Sequence, residues 1–366
     1  MVWCLHPFSS MSLDLEGHYR LCCEAMQMPE TYLTTTPREI WNSEKMKKIR
    51  ADMKDGDPYS NPDILHQCQR CIRSEKEAGN SRRLRMFSND MLRNSFSLQI
   101  SGFGNKCNLM CNHCSSHLSS KWSHFAKKLR EETEYGDLVA SDRYADKSNL
   151  EFPLTDEEKF NSLIDFINEE VDFLQLSGGE VLLTKKMQDL IQRVNWDVEI
   201  AVSTNGSVDT RLYEKFYEWN PNIIYNLSFD GLGDVHELIR TESKWDMYQR
   251  NIEWMKSKKI QINGLLALQS LNILQLKEIL EYSQVFDHFN YQFVYEPKHL
   301  CIRNMHPRAK DQAYQVLDDI QESPIDTQPI YNLLLQPWDE AEWNTLLKWL
   351  DMYEKVKNKT LHFERY

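Results

Sequence analysis

Apolar and polar residues alternate in "SFSLQIS", residues 95–101, where Phe96, Leu98 and Ile100 share one face as a β-strand requires. The period then changes. In "TDEEKFNSLIDFINEE", residues 155–170, Phe160, Leu163, Ile164 and Ile167 return every three or four positions. That is a helix with one buried stripe, and Thr155 with Glu158 forms a capping box at its start. "VDFLQLSGGEVLL" (171–183) reads as a strand that breaks at Ser177. Four more strand-like runs follow: "VEIAVSTNG" (198–206), "IIYNLSFDG" (223–231), "IQINGLLALQS" (260–270) and "FNYQFVYEP" (289–297). Helical periods separate them, as in "YEKFYEW" (213–219) and "LQLKEILEYSQVF" (274–286). Such alternation predicts an α/β fold with parallel strand pairing and polar groups gathered at the strands' carboxyl ends. Before this body, "EIWNSEKMKKIRADM" (39–53) predicts a helix capped by Ser43 that turns Met46, Ile49 and Met53 inward. After it, residues 337–359 predict a helical tail whose Trp343, Leu346, Leu347 and Leu350 pack on the body or serve a partner.

Composition adds limits. Of 366 residues, 41% are hydrophobic and 27% charged, a soluble, globular balance. No apolar run has the length of a membrane span, and the N-terminus lacks the basic-then-apolar pattern of a signal peptide. The expected location is cytoplasmic, with no membrane partner. A net charge of -12 makes nucleic acid an unfavourable partner, since a phosphate backbone is repelled on average. "KMKKIR" (45–50) and "SRRLR" (81–85) then read as solvated helix faces.

Cysteine usage changes the picture most. Nine cysteines stand at 4, 22, 23, 68, 71, 107, 111, 114 and 301, and all but the last fall in groups. In a reducing compartment grouping points to metal ligation before disulfides. Cys107, Cys111 and Cys114 follow the strand at 95–101 on a loop, spaced C-x3-C-x2-C. Zinc would need a fourth ligand, which His113 or His117 could supply. An iron–sulfur cluster needs only the thiolates, and three of them leave one iron open to an outside ligand.

The triplet, its position after a strand and the strand–helix series resemble the radical S-adenosylmethionine (SAM) superfamily. The family motif is C-x3-C-x-aromatic-C, and here His113 occupies the aromatic slot. The resemblance implies a partial (β/α)6 TIM-like barrel, a 4Fe–4S cluster on the three cysteines, and SAM chelated at the open iron. Gly178, Gly179 and Glu180 look like the family's GGE motif, which holds the SAM amino group. Ser203 and Asn205 look like strand-end contacts to ribose or carboxylate. Ser228 and Asp230 resemble the S-x-D-G of the fourth strand, and Arg240 the arginine that pairs with the methionine carboxylate. Arg240 also reads as an ordinary helix-surface arginine.

The front of the chain carries a second pattern. Cys4, Gly17 and Cys22 give C-x12-G-x4-C, and "CQRC" supplies Cys68 and Cys71. By spacing alone two such pairs suit zinc. The resemblance is to the auxiliary-cluster half of SPASM and twitch domains, placed before the barrel. It implies one auxiliary 4Fe–4S cluster on Cys4, Cys22, Cys68 and Cys71, with Cys22 favoured over Cys23 by its spacing from Gly17. The expected organisation is a twitch-like domain over 1–90, the barrel over 91–310 and a helical extension over 311–366. Cys301, past the last strand, reads as a small core residue or as a hydrogen-atom donor to a substrate radical.

The implied activity is reductive cleavage of SAM, with an electron from a carrier such as flavodoxin or ferredoxin. The resulting 5′-deoxyadenosyl radical abstracts hydrogen from a substrate C–H bond. Oxidative or cross-linking modification of a peptide or protein is the expected outcome. Dehydrogenation of a small alcohol or sugar is the second possibility. A zinc-binding structural module is the rival from another class.

Overall fold

The computed structural model describes residues 3–84, 95–102, 104–140, 142, 157–320 and 323–357. Thr155 of the expected capping box lies outside them. The strands run in chain order β1 (Ser10–Leu13), β2 (Tyr19–Arg20), β3 (Ser97–Ser101), β4 (Met110–Cys111), β5 (Phe173–Ser177), β6 (Glu199–Thr204), β7 (Ile224–Ser228), β8 (Arg240–Thr241), β9 (Ile262–Leu268) and β10 (His288–Phe293). Six of these, β3, β5, β6, β7, β9 and β10, correspond to the six apolar runs of the sequence, with helices between them. The fold is α/β, as expected. The chain divides into two compact units, each built from several segments.

The first unit comprises residues 1–105, 151–204 and 211–225. Its sheet runs β6-β5-β3-β1-β2, parallel throughout except for the β1–β2 hairpin. Alternation explains the central strands: Leu98 and Ile100 of β3 and Leu174 and Leu176 of β5 are fully buried, while their neighbours are partly exposed. Helix Glu157–Glu170 buries Phe160, Leu163, Ile164, Phe166 and Ile167, the face its spacing specifies. The front of the chain joins the same sheet. Ser10 pairs with Ser97 and Leu13 with Ile100, a parallel partnership that four residues of "SMSL" gave no periodicity to announce. Helix Glu44–Lys54 starts at Ser43, whose side chain accepts from the Met46 amide, and it buries Met46, Ile49 and Met53. Helix Pro62–Ala78 begins on an Asn61 cap and ends at Gly79, whose φ of 72° suits glycine.

β3 and β5 end in close approach. A Cβ on Gly178 (φ +135°) would lie 2.7 Å from the Cα of Gly102, so only hydrogen fits between these backbones.

The second unit comprises residues 106–150, 205–210 and 226–366. In it β9 and β10 pair in parallel from His288↔Asn263 to Phe293↔Leu268. The end of β7 lies beside β9, where the Asn263 amide donates to Asn226 (2.9 Å) and the Phe229 N–H donates to the Leu265 carbonyl (2.9 Å). The tail helix, Glu340–Lys357, packs within this unit and buries Trp343, Leu346, Trp349 and Leu350. Leu347 is half-buried instead of buried, and Trp349, absent from the expected stripe, is buried in this helix. No helix among the described residues is long and apolar enough to cross a membrane.

The approach at Gly178 can be tested. Gly178→Ala should cost about 2 kcal/mol or more, from backbone strain plus steric overlap. Gly233→Ala, where φ is +54° but nothing lies within 4 Å, should cost about 1 kcal/mol. Chemical denaturation of both variants checks the ordering.

Candidate functional site

The cysteine loop is held by a network inside the second unit. Met110 and Cys111 form β4, which pairs antiparallel with β8, so that Cys111 faces Arg240 and Met110 faces Thr241. The next amide continues the ladder: Asn112 N–H donates to the Ile239 carbonyl at 2.9 Å. Ser119 caps helix Ser120–Glu132 and its hydroxyl also donates to the Leu109 carbonyl at 2.6 Å, closing the loop's far end. Asn205, expected at a ligand, donates from its amide to Asn108 inside the loop at 2.8 Å. Asn108 in turn donates to the Ser207 carbonyl at 2.7 Å. Asn205 is thus a brace of the cysteine loop.

Cys111 is buried, and Cys107 and Cys114 are half-buried. Burial pushes the Cys114 thiol well above its usual range, and the neighbouring Cys111 and Cys107 push it further, so the three sulfurs share one electrostatic neighbourhood.

Around them stands a buried charged group. Asp230 is fully buried, and its Oδ1 accepts from the Ala267 N–H at 2.8 Å. Its Oδ2 lies 2.8 Å from Arg240 Nε and 3.9 Å from His113 Nε2. The Arg240 contact is close but off the hydrogen-bond axis, since neither atom satisfies directional criteria. Arg240 Nη1 donates to Cys111 Sγ at 3.7 Å. Burial opposes the arginine's charge, but Asp230 and Cys111 outweigh it and the guanidinium is held more firmly protonated than usual. Burial lowers His113 to about 4, with Asp230 acting against the shift and Arg240 with it; the ring is neutral at pH 7. Gln269, unremarked in the sequence, brings its amide within 3.2 Å of His113 Nδ1. Ser228 is half-buried at the end of β7. Cys301 is 2% exposed between Leu300 (0%) and Ile302 (1%), in core packing.

The glycine pair belongs to the first unit. Gly178 and Gly179 are partly exposed, Ser203 is half-buried, and Glu180 is fully buried. Glu180 Oε1 accepts from Thr204 Oγ1 at 2.8 Å and from the Leu182 N–H at 3.3 Å. Thr204, not Ser203, meets the glutamate, because adjacent residues of β6 point to opposite faces.

The first unit also holds the second cysteine group. Cys68 and Cys71 stand three apart on helix Pro62–Ala78, on one face. With Cys4 and Cys22 they line a single pocket, together with His6, Gln67, Arg82 and Arg83. Cys23 is not among the lining residues. Burial pushes Cys4 up to about 11 and raises Cys22, Cys68 and Cys71 as well. Arg82 Nε lies 3.2 Å from His6 Nε2 and supplies positive charge beside the thiols. Among the described residues no three His, Cys, Asp or Glu side chains are arranged around one metal ion. Four thiols lining one pocket fit a cluster in donor chemistry.

Residues 102–282 match the family model of the radical SAM superfamily, and residues 4–72 match that of SPASM, an iron–sulfur cluster-binding domain. No curated protein matches the chain. Among solved structures, tagged anSMEcpe with bound AdoMet is similar at 18% identity and TM-score 0.42, over 61% of this chain and 59% of that one. Streptococcus suis SuiB bound to S-adenosylmethionine is similar at 13% identity and TM-score 0.39, over 87% of this chain and 59% of that one. The same protein bound to precursor peptide SuiA gives 11% and 0.35, over 84% and 54%. The chain therefore spans less than two thirds of the length of each.

Two outcomes follow from the geometry. Cys22→Ala should remove iron from the front pocket, while Cys23→Ala retains it, as iron and sulfide analysis will read. The second concerns acid. Burial lowers His236, enclosed between Trp245 and Tyr248, from 6.5 to about 3. A depressed folded-state pKa favours the fold while the ring is neutral, so the contribution is complete above pH 6.5 and is lost as pH falls toward 3. At pH 5 the loss is about 2 kcal/mol. Melting temperature should drop between pH 7 and 5, and less steeply in His236→Phe.

Proposed function

This chain belongs to the radical SAM superfamily, and from that membership we propose that it is an enzyme that cleaves SAM reductively and oxidises or cross-links a peptide or protein substrate. The carrying observation is the loop of Cys107, Cys111 and Cys114, three thiols braced from both ends inside residues matched by the superfamily model. These residues would hold a 4Fe–4S cluster with one iron open, and when loaded and reduced it supplies the electron that splits SAM to methionine and a 5′-deoxyadenosyl radical. Cys4, Cys22, Cys68 and Cys71 would hold the auxiliary cluster, which offers an acceptor for a substrate electron and supports a net oxidation.

The chain's own residues have definable tasks. The Gly102–Gly178 contact keeps side chains out of the β3 and β5 ends, so that backbone can approach a ligand. Glu180, fixed by Thr204, offers carboxylate oxygen to an ammonium group. His113 presents a neutral ring, and so adds no cationic repulsion toward a sulfonium. The cysteine loop's bracing holds its thiols in place while electrons arrive from a carrier of the flavodoxin or ferredoxin type. The peptide class comes from the twitch and SPASM resemblance, whose members include modifiers of ribosomal peptides.

The test is anaerobic purification with iron, sulfide and zinc analysis, followed by assay of 5′-deoxyadenosine release. Cys111→Ala should lower release at least 100-fold while iron persists at the front pocket. A colourless, zinc-loaded protein stable in air would overturn the reading. Mass spectrometry of candidate peptides from the genomic neighbourhood then separates peptide modification from small-molecule oxidation.

A further inference from the structure

We propose that Arg240 acts as an N–H donor to the sulfur of Cys111, fixed in that role by Asp230, and that this pair sets the reduction potential of the cluster held by the three-cysteine loop. The inference rests on the cluster reading above and reassigns Arg240 away from the SAM carboxylate.

Three separate constraints place the guanidinium. The β4–β8 ladder sets Arg240 opposite Cys111, and the following Asn112–Ile239 hydrogen bond (2.9 Å) locks that register. Asp230 Oδ2 stands 2.8 Å from Nε. Nη1 reaches the Cys111 sulfur at 3.7 Å, an ordinary length for an N–H···S bond. Asp230 is anchored independently, by the Ala267 amide on Oδ1 (2.8 Å) and by the Asn272 amide on its carbonyl (3.1 Å). Arg240 is 7% exposed and Asp230 0%, so water does little to screen the pair.

That geometry does not suit gripping a carboxylate. A bidentate fork needs two N–H groups on one edge of the guanidinium. Here Nε faces Asp230 and Nη1 faces sulfur, so each edge with two donors already has one engaged. It does suit a redox task. Burying a paired ion pair is costly, and such pairs are kept where they fix an arrangement. Reduction adds negative charge to a cluster and its thiolates. A hydrogen bond to a ligand sulfur, delivered by a cation, stabilises that reduced form and raises the potential. Asp230 acts in the opposite direction, so the two residues together leave a moderated field. Since the cluster must reduce a sulfonium, that moderation matters: an unopposed cation would make the cluster a weaker reductant.

The experiment uses the full chain, reconstituted anaerobically, with potential read by EPR-monitored redox titration. The loop cluster's signal is assigned by its absence in Cys111→Ala. Arg240→Gln should shift the potential to a more negative value and Asp230→Asn to a more positive one, each with wild-type iron content. Arg240→Lys should lie nearer wild type than Arg240→Gln. Wild-type protein labelled with ¹⁵N-arginine should show a ¹⁵N coupling to the reduced loop cluster in pulsed EPR, a readout that needs no variant to fold. Unchanged potentials in Arg240→Gln and Asp230→Asn, or no arginine nitrogen coupling, would overturn the inference. So would weakened SAM binding in Arg240→Gln at unchanged potential, which would return Arg240 to the carboxylate. If wild type assembles no iron–sulfur cluster at the loop, the functional reading itself fails.

Discussion

A two-residue β-ladder, Met110–Cys111 against Arg240–Thr241, is the constraint on which the reactive loop of the second unit depends. Loops that carry reactive thiols face a physical conflict. They must leave their sulfurs accessible, yet a loop with unpaired backbone and few apolar contacts has little to fix its conformation. Here the conflict is eased by tying the middle of the loop to a segment 129 residues away in sequence and buttressing both shoulders, with Ser119 on one side and the Asn205–Asn108 pair on the other. Main-chain hydrogen bonds hold the middle of the loop, and short polar side chains hold its shoulders.

The two cysteine groups solve the placement problem differently. In the front pocket, helix Pro62–Ala78 fixes two thiols by helical periodicity alone, and the remaining two come from short irregular stretches. Positive charge is provided at both groups: Arg82 beside the front pocket, Arg240 beside the loop. In each case burial disfavours thiolate, and the nearby guanidinium offsets part of that cost.

Much of this was legible beforehand, for identifiable reasons. Period-two alternation marked β3, and the Ser43 cap with its Met46, Ile49, Met53 stripe marked a helix, because each is a local rule acting over a few residues. Cysteine clustering was legible because thiols are rare and costly to group. Pairings between single polar residues were not. Asp230 and Arg240 each stood out, yet their contact with one another, and Arg240's with Cys111, depends on how β8 meets β4. Thr204 and Gln269 are common residues whose importance arises only from what they meet, Glu180 and His113. β1 escaped because four residues carry too little pattern to separate strand from loop.

That short strand has a consequence for biogenesis. Every thiol of the front pocket lies before residue 72, so all four leave the ribosome ahead of β3. β1, however, needs β3 as its parallel neighbour, and Ser97 emerges only later. Until then the nascent chain presents one open hydrogen-bonding edge, with Met11 and Leu13 still uncovered. Closing that edge brings together segments far apart along the polypeptide, a slow kind of contact to make. The four thiols proposed as front ligands and the closed sheet edge are therefore completed at different points of synthesis, the thiols first.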